Sequence, residues 1–91
     1  MQATVNAKRA YLRSDGRFFV EADTLSGEFS RGDTLLIPST DSAEVRVEID
    51  RIYHVAIRGG AQPSLMFKNL PLETQELLKR TVGQDCILTI E

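Results

Sequence analysis

The strongest constraint on the fold is a long alternation of apolar and polar residues over positions 45–57. Successive side chains of a β-strand point to opposite faces, so such a segment buries one face and exposes the other. Arg51 interrupts the apolar face and Ile52 interrupts the polar face, which indicates a bend or bulge of the kind found where a sheet curls. The segment predicts a long half-buried strand, whose apolar face would carry Val45, Val47, Ile49, Tyr53, Val55 and Ile57.

Turn-forming residues divide the rest of the chain into short strands. The pair Asp15-Gly16 interrupts the first strand-forming stretch, residues 4–22, and such a pair suits the tight turn of a β-hairpin. Pro38 lacks an N–H group for a strand ladder, so it ends the strand predicted before it. The remaining strands are predicted at residues 34–37, 64–68 and 86–90, and a polar loop at residues 39–42.

A short helix is predicted over residues 72–82, between the last two strands. Pro71 suits the start of a helix and Gly83 suits its end, and Leu77, Leu78 and Val82 would face the core. About six strands and one short helix near the C-terminus predict a mainly β fold. We expect a small six-stranded β-barrel that forms a single domain over residues 1–91.

The composition restricts the classes of function. Hydrophobic residues make up 42% and charged residues 26% of the 91-residue chain, as in ordinary globular domains, and the formal net charge is -2. A negative net charge disfavours nucleic acid as the partner, because binding a phosphate backbone requires a concentrated positive field. The one candidate basic patch consists of Lys8, Arg9, Arg13 and Arg17.

Cys86 is the single cysteine and His54 the single histidine. One cysteine forms no internal disulfide, and the pair is too small a ligand set for a structural metal site. No apolar stretch reaches the length of a signal peptide or a membrane span. We therefore expect a cytoplasmic protein without membrane contact, metal or cofactor. Neither residue has the neighbours that a reactive group needs, so we also expect no enzymatic activity.

Residues 27–37 resemble a hallmark of the second domain of translational GTPases, the β-barrel that follows the G domain in elongation factor Tu. A glycine, an apolar residue, the pair Gly32-Asp33 and an apolar strand occur at that family's spacing. With its flanks, the resemblance covers about residues 7–90 and implies a barrel that contacts RNA or proteins. Residues 21–24 depart from the family's glycine-rich strand, and the helix is longer than its usual connection. No phosphate-binding loop occurs, so GTPase activity is excluded.

A second resemblance involves Arg9 and Arg13, which have the Arg-x-x-x-Arg spacing of PilZ domains. Those six-stranded barrels bind cyclic di-GMP, and two arginines can pair with its phosphates and stack on guanine. The segment 65–71, followed by a helix, is also similar to theirs. Residues 23–27 depart from their second motif, because Ser26 falls one place late.

These observations favour a non-catalytic interaction module that binds a protein partner. Arg51, a charge on an apolar face, and His54, on the polar face, are the candidate partner-binding residues. One concrete form is a bacterial regulatory or toxin-neutralising protein that docks on a single target. The alternatives are a cyclic di-GMP sensor that uses Arg9 and Arg13, and a protein associated with RNA or the ribosome. The sequence leaves the oligomeric state and the partner's identity open.

Overall fold

A computed structural model describes residues 2–38, 44–82 and 87–91. Within these ranges, seven antiparallel strands form one sheet, in the order β4-β3-β7-β1-β2-β6-β5. The elements are β1 (Ala3–Leu12), β2 (Phe18–Ser26), β3 (Thr34–Ile37), β4 (Val45–Glu48), β5 (Arg51–Ile57), β6 (Gly60–Phe67), α1 (Leu72–Thr81) and β7 (Ile87–Ile90). The predicted loop at residues 39–42, Gly83 as the helix end and Cys86 lie outside the described residues.

The hairpin of β1 and β2 confirms the turn predicted at Asp15-Gly16. Gly16 has a φ of 86°, and its N–H donates to the carbonyl of Arg13 at 3.0 Å. The Asp15 carboxylate accepts a hydrogen bond from the N–H of Arg17 at 3.1 Å. This turn fixes the register of the two strands and sets Leu12 opposite Phe18.

The core lies on one face of the sheet and is completed by α1. Fully buried apolar side chains come from five strands, and Leu78 contributes from the helix. Leu77 and Val82 pack partly buried against the same cluster, as the sequence predicts. The helix extends over Leu72–Thr81, close to the predicted range. No helix among the described residues is long and apolar enough to cross a membrane.

The expectation of six strands is wrong, because the predicted strand 45–57 is divided in two. Ile49 and Asp50 separate β4 from β5, and these two strands lie at opposite edges of the sheet. The N–H of Ile49 donates to the carbonyl of Asp33, while the N–H of Asp50 donates to the carbonyl of Met66, each at 2.9 Å. These two residues therefore form a corner that is bonded to both sides of a strongly curved sheet.

The corner also reverses which side chains face the core. Ile49 is fully buried, but the next inward residue is Ile52, three positions later instead of two. A slip of one residue moves every following side chain to the other face of a strand. The predicted burial of Tyr53, Val55 and Ile57 is therefore wrong: they are 41%, 45% and 45% exposed.

The curved sheet is not closed by hydrogen bonds between its edges. The edge strands β4 and β5 meet at the corner, because only Ile49 and Asp50 separate them. No ladder joins these two strands among the described residues. The part of the chain that the structure describes is thus a curved, open, seven-stranded antiparallel sheet with one helix.

Candidate functional site

Aromatic and arginine side chains gather on the face of the sheet that points away from the core. Residues 9, 11 and 13, at the end of β1 and just after it, share one side because successive residues of a strand alternate between its faces. Tyr11 lies opposite Phe19, and Phe19 lies opposite Met66 on β6. Met66 in turn lies opposite Arg51, which brings the start of β5 onto the same face. We call this surface the arginine–aromatic face, defined by Arg9, Tyr11, Arg13, Phe19 and Tyr53.

Three rings form a continuous contact across this face. The centroids of Tyr11 and Phe19 are 5.7 Å apart and the rings are stacked, with 12° between their planes. Tyr53 lies 6.0 Å from Phe19 with a tilt of 40°. Phe19 is only 6% exposed, although it points away from the core. The neighbouring side chains, including Tyr11 and Tyr53, therefore cover it.

The arginines of this face lie against those rings. The guanidinium carbon of Arg9 is 5.0 Å from the centroid of Tyr11, and that of Arg13 is 5.3 Å from the centroid of Phe19. A guanidinium held over a ring keeps its N–H groups available at its edge for a carboxylate or phosphate. Within residues 2–38, 44–82 and 87–91, neither arginine has a carboxylate at salt-bridge distance.

The other members of the predicted basic patch lie beside this pair. Lys8 reaches Asp23 at 3.6 Å, and Arg17 reaches Asp15 at 4.0 Å, with all four side chains more than two-fifths exposed. Exposed pairs of this kind contribute little to stability. An open pocket of about 320 Å³ lies beside Arg13 and Arg17. It is lined by Tyr11, Arg13, Arg17, Phe19, Tyr53, Val55 and Ser64.

The arginine–aromatic face is positively charged on a chain whose net charge is negative. The cations on and beside it are Lys8, Arg9, Arg13, Arg17 and Arg51, and the anions are Asp15, Glu21 and Asp23. The whole chain carries -2. The charge is therefore distributed unevenly, and this side of the molecule favours an anionic group.

Arg51 and His54, the predicted partner-binding residues, lie on opposite sides of β5. Arg51 lies opposite Met66 on the outer side, whereas His54 shares the inner side with Ile52. His54 lines a separate cleft of about 570 Å³ between the segment after β2 and the β5–β6 hairpin, together with Thr24, Gly27, Glu28, Phe29, Ser30, Ile52, Ala61 and Pro63. The structure does not bring the two residues into one site.

Sequence reasoning missed Phe19 and Tyr53 as members of a site. Phe19 can be found by counting outwards from the turn at Asp15-Gly16, which pairs it with Tyr11. Tyr53 gives no local signal, because its position depends on the corner and on the pairing of β5 with β6.

The described residues show no group of three or more His, Cys, Asp or Glu side chains placed as metal ligands. Cys86, the first residue of the strand predicted at 86–90, lies outside them. No family model matches the chain, and no curated protein or solved structure is significantly similar to it.

Proposed function

We propose that this chain is a non-catalytic interaction module that binds a protein partner through the arginine–aromatic face. The observation that carries the proposal is the placement of Arg9 and Arg13 over two rings of one aromatic cluster. Tyrosine and arginine are enriched among the residues that dominate protein–protein binding energies. A guanidinium whose position is already fixed loses less conformational entropy when it binds.

The proposed scaffold is a barrel of the type found in the second domain of translational GTPases. In this interpretation β4 and β5 are the two halves of one bent strand that pairs with β3 in its first half and with β6 in its second. The corner at Ile49 and Asp50, bonded to the turn before β3 and to β6, supports this interpretation. So does Asp33, whose carboxylate accepts a hydrogen bond from the N–H of Ser30 at 2.8 Å in the resembling segment.

A protein fits this face better than a nucleic acid does. Single strands bind through aromatic rings on which bases stack, and Arg9 and Arg13 already lie over Tyr11 and Phe19. The net charge of -2 also opposes long contact with a phosphate backbone. An RNA partner would show itself by binding that weakens steeply with added salt.

The test is affinity capture from native cells with three versions of the chain. The first is the wild type, the second carries Arg9→Ala and Arg13→Ala, and the control carries Arg80→Ala on the exposed side of α1. We expect the double variant to lose at least about tenfold in recovery of a specific partner, because central arginines contribute about 1–2 kcal/mol or more each. The control should recover the partner as well as the wild type does.

Equal recovery by all three chains would contradict the proposal. Thermal melting of each variant checks that lost binding does not reflect lost folding. Both arginines are exposed and lie outside the core cluster, so their removal should leave the fold intact.

A cyclic dinucleotide is the second candidate ligand, and the pocket beside Arg13 and Arg17 favours it. The guanidinium groups of Arg13 and Arg17 can pair with the phosphates of such a ligand, and a guanidinium can also stack on guanine. Calorimetry with cyclic di-GMP tests this candidate directly. Heat at micromolar protein that disappears in the Arg13→Ala variant would assign the face to a nucleotide, and an absence of heat would remove this candidate.

A further inference from the structure

The end of the β5–β6 hairpin is a two-stranded ribbon that projects from the sheet. β6 pairs with β2 only from Ser64 to Phe67, so the backbone of residues 60–63 pairs with β5 alone, while the side-chain amide of Gln62 donates to the Asp23 carboxylate at 2.9 Å. Every residue from Tyr53 to Ala61 is exposed, on both sides of the ribbon. Two strands without a third are only marginally stable in water. An added strand would therefore stabilise this part of the molecule.

The free edge of this ribbon lacks the usual protection against strand addition. β5 is an edge strand, so every second residue directs its backbone N–H and C=O groups away from the sheet. Proteins blunt such edges with lysine, proline or inward-pointing charges. Residues 52–57 of β5 contain no lysine, proline, arginine or carboxylate, and His54 is the one ionisable side chain on their inner side. Its outer side instead exposes the apolar side chains of Tyr53, Val55 and Ile57.

The charge of the ribbon indicates what kind of segment the edge would accept. Residues 51–63 contain Arg51, His54 and Arg58 but no carboxylate, in a chain with a net charge of -2. Arg51 continues the row of Phe19 and Met66, so the edge adjoins the arginine–aromatic face. Carboxylates are the complementary groups at both ends of β5.

We propose that the β5 edge binds an extended acidic peptide segment of the partner as an additional strand. The backbone of the peptide pairs with β5, as in other cases of strand addition. Its apolar side chains lie beside Val55 and its neighbours on the outer side, and its carboxylates pair with Arg51 and Arg58. This inference rests on the proposed function and names the chemistry of the partner. A second copy of the chain fits the edge less well, because it would bring the arginines of two ribbons together.

The experiment is an NMR titration of the 91-residue chain with two synthetic peptides of the length of β5. One alternates glutamate with valine, and the other alternates lysine with valine. We expect the acidic peptide to bind at least about tenfold more tightly, because like charges oppose the lysine peptide. The amide signals of residues 51–58 should shift, and their hydrogen exchange should slow as new backbone hydrogen bonds form.

A matched pair of variants tests whether β5 itself is the binding edge. Val55→Glu places a carboxylate on the outer side of β5, and Leu72→Glu places the same charge on an exposed residue of α1. We expect Val55→Glu to weaken binding of the acidic peptide at least about tenfold, through repulsion and loss of an apolar contact. Leu72→Glu should leave the affinity within about twofold, since surface changes away from the contact have small effects.

The outcomes separate this inference from the proposed function. If the acidic peptide shifts the amide signals of Arg9 and Arg13 only, strand addition is overturned and the arginine–aromatic face remains the binding site. Absence of binding up to millimolar peptide would also overturn it, whatever the affinity capture shows. Concentration-dependent broadening at residues 51–58 without peptide would assign the edge to a second copy instead.

Discussion

Two isoleucines that the sequence pattern treats alike should differ sharply when they are replaced by alanine. Ile49 and Ile57 occupy the same phase of the alternation over residues 45–57. In the structure Ile49 is fully buried at the corner, whereas Ile57 is 45% exposed near the end of the ribbon. The substitutions Ile49→Ala and Ile57→Ala remove the same atoms from these two environments. They therefore compare the removal of a buried side chain with the removal of an exposed one.

The expected difference follows from the burial of each side chain. Ile49→Ala removes buried methyl groups and leaves a cavity beside the turn at Gly32 and Asp33, so it should cost about 2–5 kcal/mol. Ile57→Ala leaves no closed cavity and removes a side chain that remains about half in water, so it should cost less than about 1 kcal/mol. A domain of this size is stable by only about 5–15 kcal/mol in total. The first substitution thus consumes a large part of the stability.

Urea unfolding followed by circular dichroism measures both costs. We expect the midpoint of the Ile49→Ala variant to fall clearly and that of the Ile57→Ala variant to remain close to the wild type, with similar slopes. A cost for Ile57→Ala as large as that for Ile49→Ala would refute the exposure of Ile57. It would mean that a regular strand buries both residues, as the alternation alone predicts.

Two turn positions yield further predictions. Gly27 has a φ of 75°, and an added Cβ would lie 2.5 Å from the backbone oxygen of Gln2, whereas Gly16 at 86° has open space. Gly16→Ala should therefore lower the free energy of unfolding only by the backbone strain of about 1–2 kcal/mol, and Gly27→Ala should lower it clearly more. Urea unfolding measures both losses, and equal losses would contradict the close approach of Gly27 to Gln2. Asp33→Ala loses the acceptor of the Ser30 N–H and should cost about 1 kcal/mol, while Asp33→Asn retains an acceptor. Thermal melting compares the two Asp33 variants, and an equal loss of stability in both would mean that this hydrogen bond contributes nothing.

Local signals in the sequence predict most of the secondary structure. Asp15-Gly16 specifies its hairpin because such a pair accepts the backbone angles of a tight turn. The helix is predicted by Pro71 and by the spacing of Leu77, Leu78 and Val82, which all pack on the core. These features depend on neighbouring residues only, so they can be found without knowledge of the fold.

The corner is predicted only in part. Arg51 and Ile52 fall out of phase and indicate a break, but they do not show that β4 and β5 pair with different strands. That outcome depends on long-range hydrogen bonds of Ile49 and Asp50. The exposure of Tyr53, Val55 and Ile57 follows from it, which explains why the pattern assigned them to the wrong face.

The sequence likewise predicts only part of the candidate site. Arg9 and Arg13 can be placed together from their spacing along the first strand. Their aromatic supports require the register of a hairpin for Phe19 and the position of an edge strand for Tyr53. A site assembled from three strands is therefore beyond a reading of any single segment.

Site-specific photo-crosslinking in native cells tests the central claim most directly. A photoreactive benzoyl-phenylalanine replaces Tyr53 on the arginine–aromatic face in one chain and the exposed Leu72 of α1 in the other. We expect the first chain to yield one cross-linked adduct of discrete mass that nuclease leaves unchanged, and the second to yield none. An adduct that forms equally at both positions, or one whose mass nuclease reduces, would contradict a protein partner at this face.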